Sequence, residues 1–379
     1  MLRIELFVIL AVVISVNSFN IPFIEDVTLI AVSTSNSSIV NNLTCEECLC
    51  KALIYYSALN CFSNSTCQLF STIPLTYRIQ STPGARLYFS QQTLPNVNQC
   101  CMPDLDFLLS KLRNATPIYV SIPNPRCLAL DNHGYVVAIE RSPAYIDRFN
   151  ATNLTLISRT SIPISAQIWS LAFNNNAYYI GTDSNTIVVV DSNNLTMINT
   201  ITSIYINNPR DIMFLDNGQT MVIASFGNNA LLFFKQLDST PGNYSYAYQK
   251  AVTHYPNPHG LWYVNDTFFY ATVWYNNAVL SYTANSSDST SWTETVTINA
   301  ESIGSTAGGS HVIIDECGRS WFVLEQNGIE IYDTVGNLIG NFSLKTSYFF
   351  HLLITDNYVL YLTDTLTGHA MKIDPNIKC

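Results

Sequence analysis

The sequence predicts a mostly β protein, a six-bladed β-propeller preceded by a small disulfide-rich α+β module. Three observations carry this. A unit of apolar stretch, polar turn and second apolar stretch recurs six times across residues 116–379. The last copy is one strand short, and a spare strand precedes the first copy. Seven of the ten cysteines crowd between Cys45 and Cys101.

The chain opens with "MLRIELFVILAVVISVNSFN". Arg3 is followed by an apolar run from Leu6 to Val16. That run is too short for a bilayer span, which needs about 20 residues, and it suits a cleaved signal peptide over residues 1–18. Glu5 is the one departure from the pattern, and an uncleaved segment would tether the protein to a membrane. Cysteine density fits an oxidising compartment. The charged fraction is only 12% against 48% hydrophobic residues, so the surface needs another source of solubility. Sequons at Asn36, Asn42, Asn64, Asn114, Asn150, Asn153, Asn194, Asn243, Asn265, Asn285 and Asn341 would supply it as glycans. A secreted, extracellular glycoprotein is expected. A net charge of −10, with no basic stripe, argues against nucleic acid as a partner.

Residues 19–44 lead into the cysteine-rich module, expected at 45–105. A helix over the run from Thr44 to Tyr56 places Cys45 and Cys48 on one face, with Cys61 and Cys67 on the strands that follow. The module resembles the PAN/apple fold, in which such a helix is tied to a strand ending in a motif like Cys67-Gln68-Leu69. That resemblance implies binding of proteins or carbohydrates. Cys50 and the pair Cys100-Cys101 depart from its pattern. All ten cysteines, with Cys127, Cys317 and Cys379 on the propeller, are expected in structural disulfides. Cys317 and Cys379 are expected on one face, where a bridge would lock the ring, leaving Cys127 to the surplus module cysteine. The pairing itself does not follow from sequence.

Residues 106–115 read as a linker. Beyond them, the repeats align on Leu128, Leu171, Ile212, Leu261, Val312 and Leu352, a period of 40–51 residues. Turns such as Asp131-Asn132-His133-Gly134, Asp216-Asn217-Gly218 and Asp315-Glu316-Cys317-Gly318 carry residues that tolerate positive φ, as hairpins require. A third and a weaker fourth apolar stretch complete each unit. Four short strands at this period describe a propeller blade. The final copy ends after "HAMKID", its third strand, while "TPIYVSIP" (from Thr116) has no blade of its own. Pairing the two closes the ring and leaves no open edge. The pattern running from "NPR" through the Asp/Gly turn to "GNN" is similar to the NHL repeat. It lacks that family's usual Asp and Arg in the second and third strands.

The starts of the innermost strands should surround the central tunnel. They offer Arg126, Trp169, Arg210, Asp211, His259, His311 and His351 as candidate ligand-binding residues. Histidines there are expected to hydrogen-bond to neighbouring blades. Strict alternation along a strand turns His311 and His351 to the opposite side from His259. A second reading uses the column as a metal centre. "NPHGL" resembles the Pro-His element that binds zinc in peptide α-amidating lyase propellers, a likeness resting on His259 alone, and calcium would draw on Asp211. No HExxH, GxSxG or Walker motif is present, so no catalytic residue is assigned. Acidic pairs (Glu25-Asp26, Asp104/Asp106) read as solvated loops, and Trp274-Tyr275 as a turn able to meet a sugar. The expected function is non-catalytic binding of an extracellular protein or glycan, without a cofactor. A metal-dependent lyase or hydrolase using zinc or calcium is the alternative.

Overall fold

A computed structural model describes residues 23–31, 37–52, 57–71, 77–89, 103–286, 289–300, 308–344, 348–355 and 357–377. The expected signal peptide, Asn36, Cys100, Cys101 and Cys379 lie outside these residues. The chain divides into two compact units, Met1–Gln99 and Cys100–Cys379. Among the described residues no helix is long and apolar enough to cross a membrane.

The first unit is a five-stranded antiparallel sheet in the order Phe23–Ala31, Tyr77–Phe89, Ala58–Phe62, Thr66–Phe70, Ser37–Asn41. Two of these strands lie upstream of the expected start of the module at Cys45. Glu25 sits on a strand and pairs with Arg86 at 3.8 Å, and is not in a loop. The helix Cys45–Ala52 begins with a capping box: Thr44 N–H donates to Glu47 Oε2, and Glu47 N–H donates to Thr44 Oγ1. An eight-residue helix is marginal alone, and disulfides Cys45–Cys61 and Cys48–Cys67 fasten it to adjacent strands. Buried Asn60 acts as a backbone surrogate, accepting from Leu29 N–H and donating to Leu29 O, both at 2.7 Å.

The second unit is six four-stranded antiparallel sheets. Their innermost strands are Pro125–Leu130, Ile168–Asn174, Pro209–Leu215, Pro258–Asn265, Gly309–Ile314 and Phe349–Ile354, here blades one to six. Each contacts the innermost strand of the blade on either side, so the ring is closed. The sixth sheet gains its fourth strand from Ile118–Ser121, which pairs with His369–Ile373 in the register Ala370 opposite Val120. The strand surplus at one end of the repeat array thus meets the deficit at the other.

Blades stack face to face, and each of the six apolar clusters lies between two of them. Blades two and three, for example, meet through Tyr179, Ile187, Ile212, Ile223 and Phe234. Trp292 and Trp321 are buried in such layers. The stretch expected to be a linker forms the helix Leu105–Asn114, with Asp104 as its N-cap accepting from Phe107 N–H at 3.1 Å. Leu108, Leu109 and Leu112 bury against blades five and six. Gly340 leaves room for this: a Cβ there would stand 3.0 Å from Leu109 Cδ1.

Turn aspartates hold the hairpins. Asp315 Oδ1 accepts from the Cys317 and Arg319 N–H groups, while Oδ2 accepts from Arg319 Nε and Trp321 Nε1. Arg319 in turn donates to the Tyr358 hydroxyl of blade six. Asp131 does the same in blade one, with Tyr178 of blade two donating to its Oδ2 at 2.7 Å. Gly134 and Gly318 take the positive φ these turns need, at 76° and 75°. The Asp–x–x–Gly recurrence in the sequence is therefore a blade-to-blade clamp as well as a turn. Asp315→Ala strands four partly buried donors. It is expected to lower the unfolding free energy by about 3–5 kcal/mol, read from denaturant melts.

Candidate functional site

Each innermost strand breaks register at the same place. The shifts fall between Pro125/Leu128, Ile168/Ser170, Pro209/Asp211, Pro258/Leu261, Gly309/His311 and Phe349/His351. Arg126 with Cys127, Trp169, Arg210, His259 with Gly260, Ser310 and Phe350 thus stand outside the paired register, at least one residue per blade. A bulge breaks strict alternation and re-aims side chains. His259 falls apart from His311 and His351, in keeping with the one-position offset between them, and all three are buried. Both columns line the central space, as two separate sets.

The first set is cationic and aromatic. The Arg126 guanidinium lies 4.7 Å from the Trp169 ring and 4.6 Å from Phe350. Arg210 lies 3.5 Å from Trp169 and 4.8 Å from Phe226, and Arg141 lies 3.8 Å from the same indole. Burial pulls Arg126 and Arg210 down to about 10, and mutual repulsion among the arginines adds to it, so both stay charged at neutral pH. The Nε atoms of Arg126 and Arg210 and Nε1 of Trp169 are buried without a hydrogen-bond partner. Burial lifts the Glu325 carboxyl to about 7, against the pull of Arg126 and Arg210. His259 belongs to this set: its ring is 4.5 Å from Trp274 and 5.3 Å from Phe350, and its Nδ1 is 2.8 Å from Ser310 O. It caps the next blade, as the sequence suggested for the histidines of this column. Tyr275, beside half-buried Trp274, is 67% exposed.

The second set is Asp211, His311 and His351. Each offers a ligand atom within 4.8 Å of the others, and among the described residues this is the one such group. His259, on which the zinc likeness rests, is not one of the three. His311 Nε2 stands 3.9 Å from Asp211 Oδ2, and the His311 and His351 rings stack at 3.9 Å. Asp211 accepts from Ile212 N–H at 2.8 Å and Leu261 N–H at 2.7 Å. Burial raises its carboxyl to about 7, lowers His311 to about 3 and holds His351 well below the usual range. Cys127, expected in a disulfide, is instead a buried thiol 3.1 Å from Trp169 O, facing blade two. Burial, with Asp211 nearby, pushes that thiol well above its ordinary pKa. The expected Cys317–Cys379 bridge and any bridge of Cys100 or Cys101 lie outside the described residues. Cys50 is on the helix Cys45–Ala52. Of the sequons, Asn42, Asn64, Asn114, Asn153, Asn194, Asn265, Asn285 and Asn341 are exposed, and Asn150 and Asn243 are half-buried.

Sequence reasoning passed over Arg141, Phe226, Glu325 and Phe350, and two threonines that build the site. Thr272 accepts from Gly260 N–H and donates to Ser310 O. Thr363 accepts from His351 N–H and donates to Arg126 O. Each stitches its own inner strand to the next blade. The signal was present, since three second strands carry a threonine at their last or last-but-one residue: "YYIGT", "FFYAT" and "LYLT". Gly260 matters for the same contact, because a Cβ there would meet Ser310 O at 2.6 Å and His311 Cα at 2.9 Å. Both are backbone atoms. Gly260→Ala should destabilise the fold by about 1–3 kcal/mol, measured by equilibrium unfolding.

No protein-family model and no curated protein sequence matches the chain. Among solved structures it is similar to a catalytically inactive virginiamycin B lyase from Staphylococcus aureus determined with quinupristin, at 14% identity and a TM-score of 0.51. The match covers 69% of this chain and 89% of that one, and what the two share is the β-propeller fold.

Proposed function

We propose that the protein is a secreted, non-catalytic binding propeller whose central space takes up an anionic group of an extracellular protein or glycan. One observation carries this: three arginines gather on the single indole of Trp169, at 3.5, 3.8 and 4.7 Å, in a chain of net charge −10. Bringing like charges together in a partly desolvated site is costly unless something of opposite sign completes it. Among the described residues no carboxylate lies within ion-pair distance of Arg126 or Arg210, and both Nε donors are unpaired. A carboxylate or sulfate meets such planar, charged donors with two bonds at once, and an apolar or aromatic neighbour would rest on Phe350 and Trp274. On this reading the propeller is NHL-like and the first unit is a PAN/apple-like second contact. The two bridges that fasten its helix to its sheet support that likeness, and the exposed sequons support secretion.

The test is binding of the full chain to an array of neutral, carboxylated and sulfated glycans, followed by calorimetry on the best ligand. Anionic members should bind selectively, and Arg210→Gln should weaken them by about 10–100-fold, the worth of a charged hydrogen bond. Equal binding of neutral and anionic members, or an unchanged affinity in Arg210→Gln, would overturn the proposal.

A pH dependence follows from Glu325. Below about 7 its carboxyl takes up a proton and the competing negative charge is lost, so anion affinity should rise severalfold between pH 8 and pH 6. In Glu325→Gln that slope should flatten, with the remainder carried by Asp211, whose carboxyl burial also raises to about 7.

A further inference from the structure

We propose that Asp211, His311 and His351 hold one divalent first-row transition cation of the zinc type, with at least one coordination position left open. The three come from blades three, five and six, and the innermost-strand bulges bring them together. Each is at least nine-tenths buried: Asp211 is 5% exposed, His311 4% and His351 6%. Their ligand atoms lie within 4.8 Å of one another. A tetrahedral zinc site with bonds of about 2.0–2.1 Å sets its ligands about 3.3 Å apart. The trio therefore closes on an ion by side-chain movements of between about 0.5 and 1.5 Å.

A second observation points to a ligand independently of that spacing. The Nδ1 atoms of His311 and His351 are both buried with no hydrogen-bond partner. His311 Nε2 faces Asp211 at 3.9 Å, too far for a hydrogen bond and near enough to share an ion. Two imidazoles and a carboxylate suit zinc and its neighbours, whereas calcium and magnesium demand oxygen ligands. The carboxylate is held in place by the Ile212 and Leu261 N–H groups, the outer support that metal ligands commonly have. Cys127 is excluded as a ligand, since its thiol is engaged with Trp169 O. With three protein ligands, an ion would keep a position for water or for a donor atom of a bound molecule.

This inference does not depend on the anion reading, and the two fail separately. The full glycosylated chain, stripped with chelator and dialysed, is titrated with Zn²⁺ alone by calorimetry and with Co²⁺ by visible absorption. One equivalent of zinc should bind to the unaltered protein and to Arg210→Gln. Asp211→Asn, His311→Gln and His351→Gln should each weaken it at least 100-fold. Cobalt should give the d–d bands of a low-symmetry nitrogen and oxygen site without a thiolate charge-transfer band. Absence of zinc binding, binding that survives all three substitutions, or a thiolate band would each overturn the proposal. Should the variants fail to fold, the cobalt spectrum of the unaltered protein decides.

Discussion

Everything in the propeller depends on one short stretch of backbone pairing, Ile118–Ser121 against His369–Ile373. A six-sheet ring is stable only if its first and last sheets are held together, because each blade is amphipathic on both faces and must stack on two neighbours. Residues some 250 apart in sequence meet there, and the helix Leu105–Asn114 just upstream secures the approach by burying three leucines on blades five and six. Without the closing strand the sixth sheet presents an unpaired edge, and the space between the innermost strands loses its shape.

Within the closed ring, a recurring bulge decides what that space contains. At least one residue per blade leaves the paired register, so that neighbouring positions such as Arg210 and Asp211 both serve the centre. The result is a partition of chemistry. Arginines and aromatics occupy the bulged column, and a carboxylate with two imidazoles occupies the next. His259 joins the first set and His311 the second by a difference of one position. The threonines at 272 and 363 hold the strands close enough for this, each bridging two blades with one hydroxyl.

The centre is also where the fold carries its costs. Arginines repel across one indole, Asp211 is buried away from any cationic partner within hydrogen-bonding reach, and several ring and guanidinium nitrogens lack acceptors. Some buried charges elsewhere in the ring are answered, while Arg148 Nη2 is not. Asp315 takes four donors, and Arg159 bridges Glu140 and Asp147 across two strands. The turn aspartate Asp315 is fully satisfied, whereas the Arg126, Trp169 and Arg210 nitrogens at the centre are not, and the proposed anion site rests on that contrast.

By itself the sequence determined the blade count, the four-strand unit, the closing strand and the ring of tunnel candidates. These follow from local pattern: apolar period, turn residues with positive φ, and a count of strands. The helix with Cys45 and Cys48 was legible for the same reason. Tertiary structure alone decided the rest. The bulges arise where six strands crowd a common axis, and no period-two pattern within one strand reports that crowding. The partnership of Asp211 with His311 and His351 joins three blades, up to 140 residues apart, so spacing could not reveal it. Cys127 read as a disulfide partner because composition counts cysteines without their directions. Folding turned its thiol into the blade-two interface, where the neighbouring acceptor is a backbone carbonyl.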